Sequence, residues 1–269
     1  MFMKNKDLSP YESFLKDKKR QKRMILFWQI FILIICLLVW EVMANINVID
    51  TFLFSKPSDI YFLFLKYVKT GELFKHIGIS VLETVLGFTI GTILGILIAI
   101  MLWWSETASK ILDPFLVVLN ALPKTALAPI LIVWVGAGIK GIVVIAITIS
   151  LVTTILSAYN HFINADEEKI KMLKSFGATK GQILRKLILP SNIGNIINIV
   201  KINIGMSWVG VIVGEFLVSR YGIGYLIVYG GQVFKLDLVM MGVVVLAICA
   251  LIMYQVVNVI EKLYKQKRN

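Results

Sequence analysis

Two sets of residues in this sequence have types and spacings that could do work. Pro123, Lys124, Asn203, Ser207, Trp208 and Glu215 are polar, ionisable or helix-disturbing residues set within long apolar runs, where an unpaired polar group is costly and a functional role is the default expectation. Groups of this kind can line a watery path and trade hydrogen bonds with a polar solute. Asn203, Ser207 and Gly210 or Gly214 recur at roughly helical spacing, so one face could line such a path or meet a second subunit. The second set is a basic stretch at 164–190, whose chemistry is that of a docking surface. Asn164 with Glu167, and Thr179 with Gln182, have capping-box spacing, and Gly177 stands between them where a helix end commonly needs a left-handed residue. Ile170 with Leu173, and Ile183, Leu184, Leu187 and Ile188, give two short helices an apolar stripe each. The stretch is predicted to be a surface helical hairpin.

Covalent chemistry has no candidates. The sequence lacks a Gly-x-Ser-x-Gly elbow, a His-Glu-x-x-His pair and a Gly-x-x-x-x-Gly-Lys-Ser/Thr phosphate loop. No catalytic residue, no metal site and no means of hydrolysing ATP is therefore expected in the chain itself. Its 2 histidines, His76 and His161, fall on opposite membrane faces, and its 2 cysteines, Cys36 and Cys249, lie inside apolar runs as small hydrophobes.

The elements that must position these residues are membrane helices. At 269 residues the chain is 58% hydrophobic, with a mean hydropathy of +0.83, too apolar for a water-soluble domain of this size. Apolar runs near the ~20 residues a span requires occur at Met24–Ile46, Ile79–Trp104, Asp113–Val135, Ile142–Tyr159, Ile193–Val218 and Leu238–Ile260. The first run is too long for a signal-peptide core, and no small-x-small cleavage site follows it. This gives an all-α membrane protein organised as a basic tail (1–23), six spans (24–260, with the loop at 164–190) and a second basic tail (261–269).

The net charge of +12 is distributed with a sign. Lys4, Lys6, Lys16, Lys18, Lys19, Arg20, Lys22 and Arg23, then Lys110, then Lys169, Lys171, Lys174, Lys180, Arg185 and Lys186, then Lys262, Lys265, Lys267 and Arg268 all fall on one face of a six-span chain. The opposite face carries Lys56, Lys66, Lys69, Lys75, Lys140, Arg220 and Lys235. The positive-inside rule places both termini and the loop in the cytoplasm, so the basic tails serve orientation and anionic lipid rather than nucleic acid.

Between the spans, Ile60, Phe64, Tyr67 and Val68 share one face of a helix expected to rest on the outer interface. Gly87, Gly91 and Gly95 recur every four residues and Ala99 extends the row, a packing seam within the bundle or across a dimer. The third run holds Pro114, Pro123 and Pro129. Either Lys124 lies near mid-membrane beside carbonyls freed by these prolines, or the membrane part begins only near Lys124 and 113–122 lies at the cytoplasmic interface.

At the loop the sequence resembles the permease subunits of ATP-binding-cassette importers, whose signature is Glu-Ala-Ala, three residues, Gly, nine residues, Ile-x-Leu-Pro. Gly177, Leu187, Leu189 and Pro190 fall at that spacing, while Lys171, Met172 and Leu173 occupy the Glu-Ala-Ala positions. Lys56-Pro57-Ser58, Thr70-Gly71-Glu72-Leu73, the run from Ser80 to Phe88 and the run from Leu122 to Pro129 look like the subgroup serving nitrate, sulfonate and taurine uptake. Glu215 followed by Gly222-Ile223-Gly224-Tyr225 resembles the family's Glu then Gly-x-Gly-Tyr pattern. The resemblance implies a type I importer-like bundle in the bacterial plasma membrane, with the loop as a cytoplasmic coupling hairpin. It also implies a separate ATPase that holds ATP and magnesium, an extracytoplasmic solute-binding protein, and a second permease copy. Glu215 would then be a path or gate residue, or a structural partner of Arg220. Sulfonates, taurine, nitrate and vitamin precursors all fit as cargo; a secondary transporter or channel subunit is the alternative class.

The charge asymmetry is testable by labelling. With Cys36 and Cys249 replaced, Lys180→Cys should react with an impermeant maleimide only from the cytoplasm and Asp59→Cys only from the other side. Reaction of both from one side would overturn the six-span arrangement.

Overall fold

The computed structural model describes residues 10–268, which are helical almost throughout, with no strand among the described residues. Lys4 and Lys6, and the side chains of Lys265, Lys267 and Arg268, lie outside the described residues. The chain forms two compact units, residues 1–62 and 63–269.

In the first unit α1 runs unbroken over Pro10–Asn45. Lys and Arg are good helix formers, so the basic stretch continues into the apolar one as a single helix. Asp50 caps the short α2 (Thr51–Phe54) by accepting from Phe52 N at 2.8 Å. Helix α3 (Pro57–Thr70) opens on a proline that supplies the helical φ without an N–H to satisfy. Its first turn is tied to α1, because Glu41 accepts from Ser58 N at 3.0 Å and from Ser58 Oγ at 2.9 Å.

The second unit is built on three long helices, α4 (Glu72–Trp104), α7 (Ile139–Ile163) and α11 (Ile193–Val218). Between the first two lie α5 (Glu106–Ala121) and α6 (Ala128–Val135). Between α7 and α11 come α8 (Glu167–Ser175), α9 (Lys180–Ile183) and a three-residue α10 (Leu189–Ser191). After α11 follow α12 (Ile223–Gln232) and α13 (Leu236–Arg268). Among the described residues, five helices are long and apolar enough to span a bilayer, and the bent pair of 106–121 with 124–135 makes a sixth crossing if counted as one.

Within the third apolar run, Asp113–Val135, the helix is broken rather than continuous. The chain turns by 89° between its two arms. Helix α5 ends where Leu122 N donates to Val118 O, Pro123 has no N–H to continue, and Lys124–Leu127 forms a tight 3₁₀ turn. Lys124 holds the corner by donating to Asn120 O and Asn120 Oδ1, each at 3.2 Å.

The glycine row on α4 is a seam within this chain. A Cβ at Gly87 would stand 2.6 Å from Ala146 Cβ, one at Gly95 would stand 2.5 Å from Thr154 Cγ2, and one at Gly91 would collide with Ser150 Oγ. Both members of each contact advance by four residues, so α4 and α7 run parallel at backbone-contact distance. From the other side, a Cβ at Gly210 of the antiparallel α11 would stand 2.6 Å from Ala146 Cα. In lipid, apolar side chains gain little by leaving their surroundings, and close approach at small residues is what joins helices.

At Gly91 one atom decides the fit, since after Ser150 Oγ the nearest neighbours of an added Cβ are 3.6 Å away. Gly91→Ala should therefore cost about 1–3 kcal/mol in reversible unfolding in mixed micelles. Adding Ser150→Ala should restore most of that loss, and equal losses in the single and double variants would refute the seam.

Candidate functional site

The 164–190 stretch forms the predicted helical hairpin, with one cap shifted. Asp166 caps α8, accepting from Glu168 N at 3.1 Å and Lys169 N at 3.2 Å. Asn164, predicted to be that cap, instead ends α7 and donates through Nδ2 to Asn160 O at 2.8 Å. Asp166, directly before the first residue of α8, can turn back on the amides two and three residues ahead. The Lys169 ammonium, 2.8 Å away, holds the Asp166 carboxyl below its usual range. This contribution to the hairpin is complete above the ordinary carboxylate pKa and fades as pH falls through the lowered one. The Thr179–Gln182 capping box forms as predicted, with Thr179 N donating to Gln182 Oε1 at 2.7 Å and Gln182 N to Thr179 Oγ1 at 3.3 Å.

Gly177 ends α8 at φ +76°, with Gly177 N donating to Lys174 O at 2.9 Å and Ala178 N to Leu173 O at 3.0 Å. This is the paired bonding of a Schellman turn, which needs the left-handed residue. Downstream, Leu184–Ile188 is a π-helical turn leading into Leu189-Pro190. Pro190 has no N–H, and its ring would crowd the carbonyl four residues back in a regular helix; the wider turn relieves that conflict.

The hairpin has two unlike sides. Ile170, Leu173, Ala178, Leu184, Leu187 and Leu189 pack on a core of Ala99, Ala158, Phe162, Ile183, Ile188 and Ile199 from α4, α7, α11 and the hairpin itself. Lys180 Nζ donates to Trp104 O at 2.7 Å, closing the end of α4. Of the candidate coupling residues, Leu173, Leu187 and Leu189 thus face the chain's own helices, and Lys171 and Met172 face outward. Phe176, which lies outside the motif positions, is 81% exposed at the tip, and Met172 beside it is 53% exposed. An apolar residue next to the turn glycine was the available signal.

The polar candidates on α11 turn inward. Asn203, Ser207 and Glu215 are buried, as are Gly210 and Gly214, so this face is spent on α4 and α7 rather than left open to a second copy. Asn203 Nδ2 donates to Thr92 Oγ1 at 2.6 Å and to Thr154 Oγ1 at 2.7 Å, bonding all three long helices. Asn203 Oδ1, Ser207 Oγ and the buried indole N–H of Trp208 have no protein partner. Lys201 does not reach for water. Its ammonium pairs with Glu261 of α13 and donates to Asn258 Oδ1 at 3.3 Å, with the paired side chains only 13% and 11% exposed.

At the opposite end of the unit from the hairpin, Glu215 anchors the turn into α12. Its carboxylate accepts from Ser80 Oγ at 2.5 Å and Gly224 N at 2.5 Å, while Ser80 Oγ accepts from Ile223 N at 2.8 Å. His76 Nδ1 lies 3.0 Å from both the N and the O of Gly222. Gly222 has φ +116°, and a Cβ there would fall onto the Glu215 carboxylate. The Glu then Gly-x-Gly pattern therefore records one packed object, an acid seated against two glycines. Arg220, considered as the partner of Glu215, takes no part in it. The carboxyl of a second buried acid, Glu83, lies against that of Glu215; it is a residue of the quoted Ser80–Phe88 run whose position on α4 gave no sign of this contact.

Comparisons with known proteins agree with this architecture. Residues 91–268 match the family described as the binding-protein-dependent transport system inner membrane component, and the chain belongs to that family. It is 27% identical over 232 residues to an aliphatic sulfonates transport permease of Bacillus subtilis, covering 86% of this chain and 84% of that protein. It is 24% identical over 226 residues to the taurine transport system permease of Escherichia coli, covering 82% of each. Among solved structures, an inward-facing MetNI methionine ABC transporter chain shares the fold, with a TM-score of 0.64 at 16% identity over 71% of this chain and 94% of that one. The nitrate, sulfonate and taurine subgroup suggested by the sequence is thus the right neighbourhood, and the protein is a multi-pass membrane permease.

The two turn glycines should respond differently to a methyl group. Gly177 has nothing within 4 Å of an added Cβ, so Gly177→Ala should cost only the left-handed backbone, about 1–2 kcal/mol. Gly222→Ala adds a collision with a buried carboxylate to an extended positive φ that only glycine favours, and should cost more than roughly 3 kcal/mol. Unfolding in mixed micelles measures both, and the reverse order would show that Glu215 is not seated on Gly222.

Proposed function

We propose that this member of the inner-membrane component family forms half of the translocation path of an ATP-driven importer. The hairpin is its cytoplasmic face to a separate ATPase, which holds the ATP and magnesium. In this reading both termini are cytoplasmic, a solute-binding protein delivers a small polar or anionic solute to the opposite face, and a second copy of the chain completes the path. The observation that carries it is the two-sidedness of the hairpin. Its inner side is packed on the ends of α4, α7 and α11, so force applied to its outer side reaches all three at once, and its outer side offers Met172 and Phe176 as unburied apolar knobs. Charge distribution supports the orientation.

For the second copy, α11 keeps a free apolar stripe of Ile202, Met206, Val209 and Phe216, on the side away from Asn203 and Ser207. The homodimer is placed on that stripe rather than on the polar face. The names of the sulfonate and taurine relatives fit a small organic acid as cargo.

Removing a buried Phe side chain forfeits about 3 kcal/mol, or around a hundredfold in affinity. At sub-saturating ATPase, Phe176→Ala should therefore reduce transport-coupled ATP hydrolysis at least tenfold, with the permease still inserted. In the assembled complex Met206→Cys should crosslink between copies. Wild-type coupling in Phe176→Ala sinks the docking role of the tip, and absence of the crosslink in a transporting complex sinks the α11 stripe as the shared face.

A further inference from the structure

Near Glu215, at the end of the unit away from the hairpin, a cleft of about 620 Å³ is lined by Tyr67, Glu72, His76, Arg220, Tyr225 and Tyr229, among others. Its volume lies within the range of small-molecule sites. Its wall is a file of rings. His76 stacks on Tyr225 with centroids 5.9 Å apart and planes 5° from parallel, and Tyr225 stacks on Tyr229 at 5.8 Å and 17°. The file is held in place from behind, because Gly222 fixes His76 through Nδ1 and Glu215 fixes the turn that launches α12. Lys75 is engaged at the edge of the cleft, its ammonium 3.8 Å from the centroid of the Tyr221 ring, which also lines it. Arg220 is different: it lines the cleft, is exposed, and makes no ion pair or hydrogen bond among the described residues.

We infer that this cleft binds a flat, ring-bearing organic anion, with the ring stacked on the tyrosine file and the acid group paired with Arg220, as it enters the path. The planar guanidinium offers a fork of donors matched to carboxylate, sulfonate or phosphate oxygens. Parallel tyrosine and histidine faces reward a flat ring and give little to a short aliphatic chain. Glu72 opens on the same space and offers an acceptor for an amino or hydroxyl group on the ring, while Arg220 together with Lys75 at the edge leaves the cleft one positive charge in excess. Pre-fixed rings lose little freedom on binding, which favours recognition by a shallow cleft. The inference rests on the importer reading for its direction of travel, and it narrows the cargo from any small organic acid to one with a ring.

Three probes separate the contributions: benzenesulfonate has ring and acid, ethanesulfonate the acid alone, and benzyl alcohol the ring alone. Binding is read by ligand-observed NMR titration on the full-length permease in lipid nanodiscs, without ATPase or binding protein. Benzenesulfonate should bind at least about tenfold more tightly than either of the others. Arg220→Gln should lower its affinity to that of benzyl alcohol, and Tyr229→Leu to that of ethanesulfonate, with both variants unfolding like the parent protein. Ethanesulfonate binding as tightly as benzenesulfonate, or unchanged benzenesulfonate affinity in Arg220→Gln, overturns the inference. Because no ATPase is present, failure here counts against the cleft alone, and the Phe176 experiment judges the importer reading separately.

Discussion

Ala146 is touched from two sides by helices that have no side chain at the point of contact. Gly87 of α4 and Gly210 of α11 both meet it so closely that a single methyl on either would have to displace it. Everything else in the second unit depends on this three-helix crossing. A bilayer gives no reward for burying leucine against leucine, so cohesion has to come from dispersion at short range and from hydrogen bonds that lipid cannot replace. The glycines supply the first and Asn203, reaching Thr92 and Thr154, supplies the second. Bulky apolar residues are left to face outward on α1, α11 and α13.

The two ends of this crossing are finished in different ways, and each finish fits its neighbour. At one end a hairpin of capped helices packs its apolar stripe onto α4, α7 and α11. At the other, the Glu215 carboxylate receives backbone and side-chain donors and fixes the start of α12. A polar or ionisable group inside a membrane protein is tolerable when its hydrogen-bonding capacity is met within the fold. Glu215 achieves this with Ser80 and Gly224, and Lys201 achieves it with Glu261 and Asn258. Both polar clusters join elements distant in sequence, so each also acts as a tie.

Much of this was legible in the residues. The four-residue glycine period announced a seam, Thr179 and Gln182 announced a cap, and Gly177 announced a left-handed turn; each is a local rule whose outcome depends on few neighbours. What escaped was set by three-dimensional context. Helical spacing showed that Asn203 and Ser207 share a face but could not say which neighbour that face meets, and the answer, α4 and α7, required the parallel pairing of helices separated by a bent connection. The 89° turn at Leu122-Pro123 was hidden because the apolar run continues through it, and hydropathy does not register direction. Asp166 displaced Asn164 as a cap because α7 ran on to Ile163 and left Asn164 at its end. Arg220 near Glu215 in sequence suggested a pair, whereas the backbone amide of Gly224 and the Ser80 hydroxyl had already taken the acid.

The Asn203 amide has a mechanical meaning beyond cohesion. Its two N–H groups are bonded to hydroxyls on two different helices. Sliding α11 along its axis by even half a turn would break both bonds together, and the glycine contacts at Ala146 would jam as larger neighbours came opposite. These contacts oppose shear between the helices, whereas rotation of the whole trio about its margins would leave them intact. Those margins are visible in the fold: the corner at Leu122-Pro123 on one side and the widened turn at Leu184–Ile188 on the other.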